Sequence, residues 1–253
     1  MDAPGFVIGN VAKGRDFWDR EHEVHAIWQA LEKGSVLLKA PRRFGKTSIM
    51  YSVYENPAPG FKTIFLDTEG MGEPQDFISA LITKILSDSI IRKKAVSLVK
   101  QLSGLFEKIE EIGFADARIK LKEKVGVHWQ EQGTDLIKRV SEYEGKVLFV
   151  VDELPMLIQN IAKKSGADAA CEFLNWFRAL RQMPEMGGVR WLAGGSIGIE
   201  HVLNMVNAGV KTINDFAMIR IGPFPDNVAG KYIRELLMNE GKLKKISPVV
   251  IKD

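Results

Sequence analysis

A single cysteine among 253 residues excludes a disulfide framework, so the fold must rest on its core, and a reducing compartment is the natural setting. That cysteine, Cys171, lies in an apolar stretch (AACEFLNWF) with no neighbouring feature that would activate a thiol. Histidine is also scarce, with four in the chain. His22 and His25 stand three apart without a cysteine or third histidine nearby, which is a poor basis for a metal site. No apolar run approaches the roughly 20 residues that span a bilayer. The opening stretch, MDAPGFVIGN, has neither a basic start nor a sustained apolar segment, so a cytoplasmic location and no membrane partner are expected. Charge of one sign is missing too: 35 Lys and Arg stand against 32 Asp and Glu, a net +3. Such a balance announces neither nucleic acid nor membrane. Internal repeats and low-complexity segments are absent.

What the chain does have is an ordinary globular composition, 45% hydrophobic and 26% charged, at a length that suits one α/β domain with a small appendage. Apolar residues at Val24, Ile27, Trp28 and Leu31 recur with helical spacing from Arg20 to Glu32, and Gly34 ends that helix. Ser35 to Ala40 (SVLLKA) is too short for a helix and reads as a buried strand closed by Pro41. A helix follows from about Lys46 to Tyr54, then a β-branched and aromatic strand from Lys62 to Asp67. A long helical stretch begins at Pro74, and residues 112–127 mix Gly with alternating apolar and charged residues, which suggests a small hairpin-like insertion. Thr134 is read as the N-cap of a helix ending before Gly145. Lys146 to Val151 (KVLFVV) is the most strand-like run, followed by a helix from about Ala167 to Met183. A strand (VRWLAG), a short helix from Gly198 to Asn207, a last strand (AMIRIG) and a helix from Asn227 to Asn239 complete the reading.

Strands alternating with helices imply a three-layer α/β fold: a mostly parallel sheet, helices on both faces, and ligands at the carboxyl ends of the strands. The expected division is a core over residues 1–225 and the beginning of a helical lid with a tail over 226–253.

The stretch Ala40 to Thr47 (APRRFGKT) fits the phosphate-binding loop GxxxxGK[ST], with Ala40 in place of the first glycine. Average residue usage produces such a string by accident in roughly one chain of this size in fifty. Context sharpens it, because the string leaves an expected strand and enters an expected helix, the setting in which backbone N–H groups converge on a polyphosphate. The expected nucleotide-binding set is therefore Pro41, Arg42, Arg43, Phe44, Gly45, Lys46, Thr47 and Ser48. Gly45 permits close approach, Lys46 brings a point charge to the β- and γ-phosphates, and Thr47 offers a hydroxyl to Mg²⁺. Arg42 and Arg43 are expected to point outward.

The run LFVVDE ends in Asp152 and Glu153. A carboxylate at the end of a strand beside the loop can hold the Mg²⁺ shell, which gives Asp152 that part. Glu153 can then polarise a water for attack on the γ-phosphate. A third feature, WLAGGS, ends in two glycines and Ser196, whose hydroxyl can sense the γ-phosphate or the water; an incidental glycine-rich turn explains it equally well. Transition-state charge on the phosphoryl group calls for an arginine, and Arg178, Arg181, Arg190 and Arg220 are not ranked by sequence. The lysine-containing segments (RKKAVSLVK, RIKLKEK, KLKKIS) read as wetted faces.

With these residues in hand, the chain resembles the prokaryotic ATPases, abundant in archaea, of the signal-transduction (STAND) branch of AAA+ and related P-loop ATPases. The likeness runs from about Arg15 to Gly241 and rests on FWDREHEVHAIWQALEKG, PRRFGKTS, VVDELP and GGS. It implies Gly45, Lys46 and Thr47 as nucleotide and Mg²⁺ contacts, Asp152 as metal partner, Glu153 as water-activating residue and Ser196 as sensor. It also implies that the segment around Arg15 to Phe17 lies near the adenine. Such proteins continue through a helical lid into a winged helix, whereas this chain ends after one lid helix.

The expected function is therefore Mg²⁺-dependent hydrolysis of ATP driving a conformational switch or motor, coupled to movement of a lid, an effector domain or a protein partner; DNA is neither excluded nor indicated. A non-catalytic module that holds ADP and contacts protein or DNA is the second reading. A small-molecule kinase ranks last, because the adjacent Asp-Glu pair favours water as acceptor.

Overall fold

Along Lys146–Asp152, successive side chains are buried on alternate sides: Val147, Phe149 and Val151 enter one apolar cluster, Leu148 and Val150 the other. A strand covered on both faces must be an interior strand of a layered sheet. The computed structural model describes residues 5, 10–88, 90, 91, 121–123, 125–195 and 198–239, and builds around this run a five-stranded, wholly parallel sheet. Its strands are β1 (Val36–Lys39), β2 (Phe61–Asp67), β3 (Lys146–Asp152), β4 (Val189–Gly194) and β5 (Ala217–Arg220), in the order β2-β3-β4-β1-β5.

On one face lie α1 (Glu21–Lys33) and α2 (Lys46–Glu55), which bury Ile27, Leu31, Ile49, Met50 and Val53 against Leu38, Val150 and Leu192. The opposite face carries α3 (Pro74–Ser87), α4 (Trp129–Ser141), α5 (Leu154–Ser165), α6 (Ala167–Gln182) and α7 (Ile199–Met205). Its centre is aromatic. Trp191 stacks on Phe149 with ring centroids 4.7 Å apart and meets Phe177 edge-on at 4.8 Å. Each such pair adds about 0.5–1.5 kcal/mol beyond the area it buries. The expected three-layer α/β fold is thus what the chain adopts. Helix α8 (Asp226–Asn239) follows β5, and among the described residues no helix is long and apolar enough to cross a membrane.

Three expectations need correction. Thr134 does not cap a helix: α4 already starts at Trp129, and the Thr134 hydroxyl donates 2.7 Å back to the Gln130 carbonyl. Gly133 remains inside that helix because the Trp176 ring and Ile78 occupy the space a side chain would need. The expected hairpin over 112–127 falls largely outside the described residues. Its described end is helical at 121–123 and 125, because Leu121 and Val125, four apart, are both buried in the core. Finally, α5 was not anticipated. Its second residue is Pro155, which is at home there because proline in the first helical turn lacks only an N–H that would be unpaired anyway.

Candidate functional site

Strand β1 runs into the loop 40–45, whose exit sets the geometry of everything after it. Gly45 has φ +79° and caps α2, so the chain turns from strand to helix through a left-handed residue. Arg43 is also left-handed, at φ +66°, a conformation rare for a side chain of its size. Its side chain and that of Arg42 are exposed, as expected. Helix α2 then opens with Lys46 and Thr47, and its first amides face the carboxyl edge of the sheet.

Strand β3 ends at the same edge with β4 between it and β1. Across that gap Lys46 Nζ donates 2.9 Å to Asp152 Oδ1, and Thr47 Oγ1 donates 2.8 Å to Asp152 Oδ2. One carboxylate is thereby gripped by the first two residues of α2. Lys46 and Asp152 are only 6% and 5% exposed, so this is a buried charge pair with its hydrogen bonds in place. Glu153 Oε1 lies 3.6 Å from the same ammonium.

The lysine reaches its partners by passing over the end of β4. A Cβ on Gly194 would stand 3.1 Å from Lys46 Cδ and 3.3 Å from Met50 Sδ. A Cβ on Gly195 would come within 2.8 Å of Pro155 Cγ and 3.2 Å of Glu153 Oε2. The two glycines of WLAGG therefore leave room for the two side chains beside them, a use of glycine that the sequence alone did not disclose. Ser196, the expected sensor, lies outside the described residues.

Glu153 is held by its backbone as well. It adopts φ +60°, ψ +32°, and its N–H donates 3.0 Å to Asp152 Oδ1, turning the chain directly from β3 into α5. Such a conformation costs a non-glycine residue about 1–2 kcal/mol, and strain of this kind concentrates at working sites. The corner is pinned from β2 by Thr68, a fully buried residue that sequence reasoning missed. Its N–H and hydroxyl donate to the Asp152 carbonyl at 3.1 Å and 2.7 Å.

Beside the loop lies a cavity of about 370 Å³ lined by Asp16, Phe17, Trp18, Arg20, Phe44 and Tyr232, among others. Asp16 and Phe17 fall in the segment expected near an adenine. Arg20 locks the far wall: its guanidinium donates 2.5 Å to Glu23 and 3.0 Å to the Gly222 carbonyl, and lies over the Phe224 ring at 4.1 Å. Ser48, expected to touch nucleotide, accepts a 3.0 Å hydrogen bond from the Ala12 N–H and so ties the N-terminal segment to α2. A second cavity, of about 290 Å³, opens on the other side of the loop between Pro41, Gly195, Glu200 and Arg220.

The four candidate arginines are far from equivalent. Arg181 is almost completely buried and forms a two-pronged pair with Asp215 at 2.7 Å and 2.9 Å, with a third bond to the Thr212 carbonyl. Arg178 stands one helical turn before it and helps lower its pKa, after burial as the main cause. Arg190 serves the amino end of the sheet, donating 3.0 Å to the Leu31 carbonyl. Arg220 alone of the four ends a strand at the carboxyl edge.

No family model matches the sequence, and no curated protein matches it. Among solved structures, the chain is similar to the ORC1 protein of Aeropyrum pernix, determined in complex with DNA, at 15% identity and a TM-score of 0.49. The match covers 92% of this chain and 53% of that one, so this chain spans about half the length of that protein.

Proposed function

We propose that the chain is a cytoplasmic, Mg²⁺-dependent ATPase of the AAA+ kind, in its signal-transduction branch, whose hydrolysis of ATP drives a conformational switch or motor. The observation that carries this reading is the grip of Lys46 and Thr47 on one buried carboxylate, Asp152, at the N-terminus of α2. An ordinary strand-to-helix turn has no need to bury a lysine and an aspartate together at a sheet edge.

In this reading the β- and γ-phosphates lie along the first turn of α2, where free N–H groups and the helix dipole favour anions, and Lys46 supplies the counter-charge. Thr47 Oγ1 and Asp152 Oδ2, 2.8 Å apart, are hard oxygen donors of the kind Mg²⁺ takes one or two of while keeping water in its other positions. Held there, Mg²⁺ would neutralise charge on the phosphates. Glu153 accepts a proton from the attacking water as the water oxygen bonds to the γ-phosphorus. The bond to the β–γ bridging oxygen breaks, and ADP and phosphate leave. The flat base fits the cavity walled by Phe17, Trp18, Phe44 and Tyr232. Tyr232 belongs to α8, which suits that helix to the start of a lid over the nucleotide.

The test is calorimetric titration with Mg·ATP alongside phosphate-release assays on wild type, Lys46→Ala and Glu153→Gln. Wild type should bind and turn over, Lys46→Ala should lose binding, and Glu153→Gln should bind while losing at least about a hundredfold in turnover. Binding without turnover in wild type, with and without DNA, would make the chain a regulatory module instead. No heat on titration would refute both.

A further inference from the structure

We propose that the cavity of about 290 Å³ on the side of the loop away from the base cavity is a second ligand site, for a small organic acid with an apolar body. Such a site would exist whether or not the chain hydrolyses ATP. The sheet itself supplies the lining. Leu37 and Leu38 of β1, Ile221 just after β5 and Ile199 of α7 all border the cavity, and each is at most 3% exposed. Pro41 and Pro155 add two rings that carry no N–H. An apolar body is at home against these groups, whereas an unpaired polar one would be costly to bury there. The volume sits at the lower end of the range of ligand pockets, about 300–1,000 Å³, and suits a molecule of side-chain size.

Glycine use points the same way. Gly194 and Gly195 are crowded by Lys46, Met50, Pro155 and Glu153, so each makes room for a neighbour. Gly198 also lines the cavity and is different: a Cβ there would meet nothing within 4 Å, and its φ of −62° suits any residue. Neither the backbone nor a neighbour requires glycine at 198, and the missing side chain leaves that part of the cavity open.

Charge selects the polar end of the ligand. Three charged residues line the cavity, Lys39, Glu200 and Arg220. Lys39 is ion-paired with Glu200, while among the described residues no hydrogen bond or ion pair engages Arg220. One cation is therefore in excess. Arg220 is in register with Lys39 on the neighbouring parallel strand, so its side chain leaves the sheet on the same face as Leu37, two residues before Lys39. Its exposed guanidinium meets an anion at the water while an apolar tail lies inward on Leu37 and Ile199. A planar fork takes a carboxylate through two parallel hydrogen bonds, and a single negative charge matches the single excess cation better than a phosphate dianion beside Glu200.

The experiment is calorimetric titration of the nucleotide-free chain with octanoate, and with acetate and octylamine as probes that lack the tail or reverse the charge. Octanoate should bind with a Kd of about 1 mM or tighter, and each of the others at least about tenfold more weakly. Arg220→Ala should weaken octanoate about tenfold or more. Gly198→Phe, which puts a ring into the open space, should do the same with an unchanged melting temperature. Undiminished octanoate binding in Gly198→Phe would move the ligand elsewhere on the surface and overturn the proposal. Equal affinity for octylamine would overturn it by leaving Arg220 no part, and equal affinity for acetate by leaving the apolar lining none. Absence of octanoate binding in a chain that binds Mg·ATP would sink this site and leave the ATPase reading standing. Octanoate binding in a chain that ignores Mg·ATP would do the reverse.

Discussion

Glu153 combines two properties that can be separated by substitution. Its carboxylate stands beside Lys46, and its backbone is held at φ +60°. Replacement by glycine removes the first and relieves the second. We therefore expect Glu153→Gly to abolish turnover while raising folding stability by about 1 kcal/mol, measured by urea unfolding. A stability loss would show that the side chain contributes more to the fold than the turn costs. Gly194 offers the converse case. Alanine there would put a methyl 3.1 Å from Lys46 Cδ, so the lysine must shift. Gly194→Ala should weaken Mg·ATP binding about tenfold, with far-ultraviolet circular dichroism unchanged; undiminished affinity would mean that the lysine has room to spare. At this scale Lys46, Thr47, Asp152 and Glu153 were readable because each belongs to a motif with fixed spacing. Thr68, Gly194 and Gly195 were not, because their parts depend on which strands adjoin, and strand order is invisible in a local pattern.

Among the elements, α6 is fastened to the segment before β5 chiefly through Arg181. Arg181, its side chain 1% exposed, pairs with Asp215 and lies over the rings of Phe177 and Phe216 at 4.6 Å and 4.1 Å. Removing the acid strands a buried guanidinium. Asp215→Ala should therefore cost about 3–5 kcal/mol in chemical denaturation, whereas an exposed pair such as Lys13 with Glu55 should cost under about 1 kcal/mol. A loss below about 1 kcal/mol for Asp215→Ala would mean that water reaches the arginine. The elements themselves were mostly legible: β4 matches the run VRWLAG residue for residue, and α1, α2 and β2 end within a residue or so of expectation. The failures have identifiable causes. Leu154, Leu157, Ile158 and Ile161 carry the spacing of a buried helical face, but that helix starts directly after the acidic pair, with no loop to mark a new element. At α4, Thr134 resembled a cap, whereas Trp129 and Gly133 are helical because Trp176 packs against both.

The molecule as a whole should answer to acid more than to base. Lys122 holds Glu73 below the usual carboxylate range and, with the Gly72 and Glu73 amides, holds Asp76 there despite burial that pushes upward. Asp88 is lowered likewise, as its bonds to Ile91, Lys62 and Ile90 outweigh burial. Carboxylates depressed in the folded state contribute stability above their unfolded pKa and lose it as pH falls through the folded values. Lys122 is raised by the same partners, so its contribution persists until pH climbs past its folded value, above the usual lysine range. Urea midpoints should therefore be flat from about pH 5 to 9 and fall below about pH 4, with Asp76→Asn flattening part of the acid limb. A midpoint falling already between pH 6 and 5 would assign the acid limb to other groups.

The clasp between Lys46 and Asp152 also decides how the protein meets anions in general. An ammonium that already faces two carboxylates presents little net attraction to a passing sulfate or to inorganic phosphate. On the proposed reading, binding of a metal-bearing triphosphate would be an exchange, with Asp152 and Thr47 offering oxygens to the cation and Lys46 freed to face the phosphates. The chain should ignore the abundant simple anions of the cell and respond chiefly to a ligand that brings both signs of charge at once.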